Sequence, residues 1–331
     1  MHDSSRRGLT RRQMIAAAPM AAALQALPAF GQASDYPNRP VKIVVGFPPG
    51  GPPDLIARVT GQAVGERWKQ PLIVHNRGGA SGAIGADIVA KAAPDGYTLL
   101  LAPLTFAIIP NLQKLPYDTA QDFTPVTVLA QAPLVLVAHP SVKANSVAEL
   151  IALAKAKPGA MSYASAGNGT SPHIIGEMFK RATGTHVVHI PYRGSPAAVQ
   201  DVLAGRAEYY FDTLASALPH IERGALKPLA VLSAKRNTRL PNVPTLTEVG
   251  LKGFDVEGWI GIFAPAGIPR PLLVTINAAF NASLNTPEVQ QRIAAIGAEP
   301  VGMTPEEFER ILKRDMQRFG AIIKEVGIKL D

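Results

Sequence analysis

The chain has 331 residues, 47% of them hydrophobic, carries a formal net charge of +8 and contains no cysteine. Disulfide frameworks and thiolate metal sites are therefore excluded, and stability must rest on burial. Lysine and arginine form no run longer than a pair such as Lys235-Arg236 and have no aromatic interleaving, which argues against a nucleic-acid surface.

The N-terminus carries a paired-arginine motif, Thr10-Arg11-Arg12-Gln13-Met14-Ile15, ahead of an Ala-, Met- and Leu-rich stretch from Ile15 to Leu27. Pro19 and Pro28 leave that stretch too short and too broken to span a bilayer. Gly31-Gln32-Ala33 supplies small residues that suit signal-peptidase cleavage before Ser34. Residues 1–33 read as an export signal of the twin-arginine type, with the Sec route as the alternative. The segment holds four arginines and one aspartate, so the mature chain keeps +5, a mild field that attracts anionic solutes. Its roughly 300 residues suffice for a large core divided into two lobes.

Strand candidates then alternate with helices. The first series is Val41–Val45, Leu72–His75 and Tyr97–Ala102, the last introduced by Pro94-Asp95-Gly96; Leu134–Ala138 follows. A second series comprises Met161–Ala164, His186–Ile190, Glu208–Phe211 and Leu226–Leu232. Between them, Ser146-Val147-Ala148-Glu149 reads as a capping box, and Ser171-Pro172 and Ser195-Pro196 read as N-cap serines ahead of an N1 proline. Thr286-Pro287 and Thr304-Pro305-Glu306-Glu307 open the last two helices. Alternation of this kind predicts an α/β fold of parallel sheets covered on both faces.

Three strand-to-helix turns carry the functional signal. VKIVVGFPPGGPPD runs from a strand through Pro49, Gly50 and Gly51 to Asp54 and a helix. Ser165-Ala166-Gly167-Asn168-Gly169-Thr170-Ser171 leaves the Met161–Ala164 strand, and Tyr192-Arg193-Gly194-Ser195 leaves the next. Backbone N–H groups are free at a helix start, where the peptide dipole favours negative charge. Ligands of open α/β sheets gather beyond the carboxyl ends of the strands, so two such turns can close on one anion. None is a Walker loop or a GxGxxG fingerprint, and no cofactor is called for.

These segments, together with VHNRGGASGAIGADIVAKAAPDGYTLLLA, ALPHIERGALKPLAV and GIFAPAGIP, resemble the Bug family over essentially the whole mature chain. Its members are extracytoplasmic solute receptors of tripartite tricarboxylate transporters. The resemblance implies a two-lobed type II periplasmic-binding-protein fold that closes over a small carboxylate, a periplasmic location, and membrane transporter components as partners. Residue by residue, it implies ligand contacts from Pro49, Gly50, Gly51 and Asp54 in the first lobe. In the second it implies Ser165, Gly167, Asn168, Gly169, Thr170, Ser171 and His173, with Gly194, Ser195 and Asp212.

Two departures bear on the ligand. Pro53, behind Pro52, replaces a small hydroxyl residue, so the first-lobe grip must come from amides of Gly50, Gly51, Asp54 and Leu55 or from water. After the Tyr97–Ala102 strand, Leu104, Thr105, Phe106, Ile108 and Ile109 keep only Thr105 of a polar set. If they line the cleft, the expected ligand is an aromatic or medium-chain aliphatic carboxylate. Expected lobes are 34–134 plus 259–331 and 135–258, with hinges near Leu134–Ala138 and Trp259–Ala264, in a monomer.

Enzymatic readings find little support. Gly79-Ala80-Ser81-Gly82 fails to complete GxSxG because position 83 is Ala. His173 and Glu177, or His186 and His189, give no convergent set of three metal ligands. Asp212 has no paired acid or nucleophile for general-base work. A secreted hydrolase and a ligand-sensing subunit remain the alternatives to a transport receptor, and turnover assays separate the first from it.

Overall fold

A computed structural model describes residues 36–328. The expected export segment and cleavage point lie outside the described residues. In chain order the elements are β1 (Val41–Val45), α1 (Pro52–Trp68), β2 (Leu72–Asn76), α2 (Ala83–Ala90), β3 (Thr98–Pro103), α3 (Thr105–Ile108), β4 (Phe123–Gln131), β5 (Leu134–Ala138), α4 (Val147–Ala156), β6 (Ser162–Ser165) and α5 (Ser171–Thr183). There follow β7 (Val188–Pro191), α6 (Ser195–Leu203), β8 (Tyr209–Thr213), α7 (Leu214–Glu222), β9 (Lys227–Val231), β10 (Trp259–Pro265), α8 (Arg270–Leu284), α9 (Pro287–Ala295), β11 (Glu299–Pro300) and α10 (Pro305–Val326).

The strands form two sheets. The first has the order β11-β4-β10-β3-β1-β2, the second β7-β6-β8-β5-β9. β1 pairs in parallel with β2 and β3, and β6 with β7 and β8. The all-parallel expectation is corrected: β10 runs antiparallel to β3 and β4, and β5 antiparallel to β8 and β9. Both strands arrive from the other sheet, so each enters its own sheet from the opposite end. β10 is buried at every position and sits in the middle of the first sheet, which gives it an uninterrupted apolar face on both sides.

The two crossings between sheets lie side by side. Ala132 N–H donates to the Gly258 carbonyl at 2.7 Å, and Leu232 N–H donates to the Leu134 carbonyl at 2.9 Å. A Cβ on Gly258 would stand 2.3 Å from the Ala132 carbonyl oxygen, so only glycine permits this approach. A continuous apolar core runs from Val44 and Leu100 to Leu136, Tyr163 and Phe179. The C-terminal helix α10 joins it, packing on β4 and α3 and also on α5. Thr304 and Glu307 form a full capping box at its start.

Local signals placed the helices well but not to the residue. α5 and α6 begin one position earlier than expected: Thr170 and Gly194 are the N-caps, and Ser171 and Ser195 are the first helical residues. The α4 box is half formed. Ser146 accepts from the Glu149 amide, while the Glu149 carboxylate reaches Asn145 N–H.

Candidate functional site

Three helix starts converge between the sheets. α1, α5 and α6 each carry proline in the first turn, where a missing N–H disturbs no helical bond. They border a pocket of about 650 Å³, counting its open mouth. Pro48, Pro52, Pro53, Pro103, Pro172 and Pro196 supply much of its wall. Phe47, Leu104, Leu134, Trp259 and Ile260 are its larger apolar side chains, and Thr105, Thr170, Ser171, Ser195, Tyr210, Asp212 and Thr213 form the polar part. No lysine, arginine or histidine lines it.

The first-lobe turn is held from behind by Asp54. Its carboxylate accepts from Gly50 N–H at 2.9 Å, Asn76 Nδ2 at 3.0 Å and Arg58 Nε at 3.0 Å. Burial alone would raise the Asp54 pKa, but the bonds from Arg58, Gly50 and Asn76 outweigh it and hold the carboxyl below its usual value. Two of the amides expected to grip a ligand are thereby engaged: Gly50 N–H by Asp54, and Leu55 N–H by the Gly51 carbonyl at 3.1 Å. Pro52 and Pro53 have no N–H to offer. Gly51 and Asp54 are left as the amides at this helix start with no protein acceptor among the described residues.

The second-lobe turns meet the first directly. Gly194 has φ +99°, and a Cβ there would lie 2.6 Å from Pro48 Cγ, so both backbone and space require glycine. Gly51 stands against Pro196. Ser171 N–H donates to Thr105 Oγ1 at 3.3 Å, and Ser81 Oγ donates to the Asn168 carbonyl. At the pocket floor, Tyr210 and Ser195 hydroxyls are 3.0 Å apart and Ser195 Oγ donates to Asp212 Oδ1 at 2.7 Å.

The structure thus brings Gly51, Thr105, Thr170, Ser171, Ser195 and Asp212 to the pocket wall. Pro49, Gly167, Asn168 and Gly194 line a wider cleft of about 1430 Å³, counting open solvent. Gly50, Asp54, Ser165, Gly169 and His173 border neither. His173 Nδ1 accepts from Gly169 N–H at 3.0 Å, its ring stacks on His189 at 4.2 Å, and His189 Nε2 lies 2.6 Å from Ser165 Oγ. Burial lowers the pKa of both rings, that of His189 to about 3, which keeps them neutral supports of the loop. Among the described residues no group of three or more His, Cys, Asp or Glu is placed to hold a metal.

The greasy segment after β3 contributes less than expected. Leu104 lines the pocket, but Phe106 packs on Phe123 and Phe263 at 5.0 and 4.8 Å, and Ile108 is fully buried in the core. Ile109 is likewise buried, away from the pocket. The apolar surface comes instead from Phe47, Trp259, Ile260 and the prolines. Trp259 and Tyr210 could not be found from local sequence, because non-local strand pairing brings them there. The first-turn prolines were visible, yet only as helix punctuation.

Two sheets joined by paired crossings, with helix starts facing one another across a pocket, define a two-lobed solute-binding receptor. Residues 56–328 match the family model described as tripartite tricarboxylate transporter family receptor, and the chain belongs to that family. It is 39% identical to Protein BugT of Bordetella pertussis, over 90% of this chain and 92% of that protein. Among solved structures, R. palustris Rpa4515 with adipate superposes with a TM-score of 0.86 at 34% identity, covering 89% of this chain and 99% of the other. MatC (Rpa3494) from Rhodopseudomonas palustris with bound malate gives 0.83 at 30% identity, over 87% of this chain and all of that one. The family is one of periplasmic receptors, not of enzymes.

Proposed function

We propose that this protein captures a small organic carboxylate in this pocket and presents it to the membrane components of a tripartite tricarboxylate transporter. The observation that carries this reading is the abutment of the α1 and α6 starts, Gly51 against Pro196, with no cationic side chain in the pocket. Helix-start amides and dipoles are then the anion-binding elements, since the Ser195 and Thr170 hydroxyl protons are already given to Asp212 and to the Gly167 carbonyl. Adipate in Rpa4515 and malate in MatC support a carboxylate ligand. Residues 1–33 serve as the export signal, cleaved near Ala33, and the mature receptor works as a periplasmic monomer.

The ligand has an apolar body, either an aromatic ring or a medium aliphatic chain. Phe47, Trp259, Leu104 and Ile260 offer it matching surface. Burying a ring or several methylenes is worth roughly 1–3 kcal/mol, about ten- to hundredfold in affinity. The lobes, 34–134 plus 259–331 and 135–258, close about hinges at the two crossings.

Calorimetry against benzoate, adipate and citrate, each beside its methyl ester, tests the reading. The acid binds and the ester does not, and benzoate or adipate outbinds citrate. An ester that binds as tightly as its acid removes the helix-start account, and tight citrate binding without response to the other two removes the apolar-body account.

A further inference from the structure

Asp212 ends β8 at the pocket wall, with no solvent-accessible surface. Its Oδ1 is well supplied, accepting from Ser195 Oγ at 2.7 Å and from Thr213 N–H at 2.8 Å. Its Oδ2 is buried and has no hydrogen-bond partner. The hydroxyls of Ser216 and Tyr210 stand beside the carboxyl too and offset part of the burial penalty, yet neither reaches Oδ2 with hydrogen-bond geometry. Nor does any residue of the pocket bring a cation to it. A buried carboxylate oxygen left unpaired is costly, and native proteins rarely keep one without a use.

Ser195, which supports Oδ1, is also the first residue of α6, whose start the reading above sets against the ligand carboxylate. One ligand can therefore lie with its anionic end at the helix starts and another group against Asp212. A second carboxylate there would set two like charges together in an apolar pocket. A hydrogen-bond donor would instead meet the vacant lone pairs.

We propose that the ligand carries a donor group as well as its carboxylate, a hydroxyl or an ammonium, and that Asp212 Oδ2 accepts from it. This rests on the carboxylate reading above and narrows it to hydroxy- or amino-substituted acids with an apolar body. Asp212 then selects the substituted acid over its plain parent. Hydrogen bonds to a buried charge discriminate strongly, because a ligand without the donor leaves the charge desolvated and unpaired.

The test uses the full mature protein and calorimetry with matched series: benzoate beside its three monohydroxy isomers, and hexanoate beside 6-hydroxyhexanoate, 6-aminohexanoate and adipate. In the wild type, at least one hydroxy or amino member binds about tenfold or more tightly than its parent, and adipate gains nothing comparable. The hydroxy and amino arms identify which donor is read. Asp212→Asn keeps the shape and an acceptor for Ser195, and the preference falls to about threefold or less. Equal binding of parent and substituted acids in the wild type overturns the proposal even if the variant fails to fold, as does a preference that survives Asp212→Asn. If acids bind without regard to the donor, the carboxylate reading stands and this inference alone falls; if no acid binds, both fall.

Discussion

Asp54 accepts from the Gly50 amide, the Asn76 amide group and Arg58 at once, so Asp54→Asn sets a new N–H₂ against one of those donors. Loss of charge-assisted bonds at a buried site is worth about 2–3 kcal/mol, and chemical denaturation at neutral pH should show that loss. The pKa of Asp54 is lowered in the fold, so its contribution is present above the usual carboxylate range and fades as pH falls through the folded value. The variant should lose that acid-limb dependence, and an unchanged acid limb would mean that the ion pair is idle. Asp212 has the opposite sign. Burial raises it to about 6, so the folded state binds a proton that the unfolded chain releases, and ionisation costs stability above that value. Wild-type stability should therefore gain on lowering pH from 7.5 to 5, by about 1–1.5 kcal/mol from this group. Asp212→Asn should be the more stable protein at pH 7.5 and lack the gain. Parallel pH profiles for both proteins would contradict this.

At the level of elements, α1, α5 and α6 share one design: a glycine-bearing turn, then a first helical turn containing proline. In α1, Pro53 deletes both an amide and the side-chain hydroxyl that a serine would bring. Pro53→Ser should raise affinity for malate about tenfold relative to benzoate, read by calorimetry. It should also cost about 0.4–1 kcal/mol of stability through the freer unfolded chain. No relative change would show that the first turn of α1 does not touch the ligand. These turns were legible in the sequence because glycine, proline and hydroxyl residues act over three or four positions. β4 was not. Pro125 demotes Phe123–Gln131 as a strand, and in the sheet it sits at an irregularity, opposite Phe263. The hydrophobicity of Phe106 and Ile108 was equally readable, but not its direction. Phe263 and α10, against which they pack, lie far along the chain, and only the assembled core assigns them to it.

Across the whole molecule, two hydrogen bonds join the second-lobe loop to the first: Ser171 N–H to Thr105 Oγ1 and Ser81 Oγ to the Asn168 carbonyl. Thr105→Val keeps the volume and removes the acceptor. Affinity for the best carboxylate should fall about three- to tenfold, since a bond between the lobes contributes about 1 kcal/mol. Small-angle scattering at saturating ligand should give a larger radius of gyration than for the wild type. Identical affinity and size would show that the lobes meet without this bond. The paired crossing was only partly visible in the sequence. The strands near Leu134 and Trp259 were recognisable as crossings, but the pairing of Ala132 with Gly258 depends on two segments more than 100 residues apart.

The prolines of the pocket have a consequence for what binding costs. A pyrrolidine ring has no rotamers to lose, so a wall built from Pro48, Pro52, Pro53, Pro103, Pro172 and Pro196 surrenders almost no side-chain entropy when a guest arrives. Such a surface behaves as a mould rather than a glove. It rewards the one outline that fills it and does not reshape itself around near misses, which leaves discrimination to fit and to the few polar atoms set into the wall.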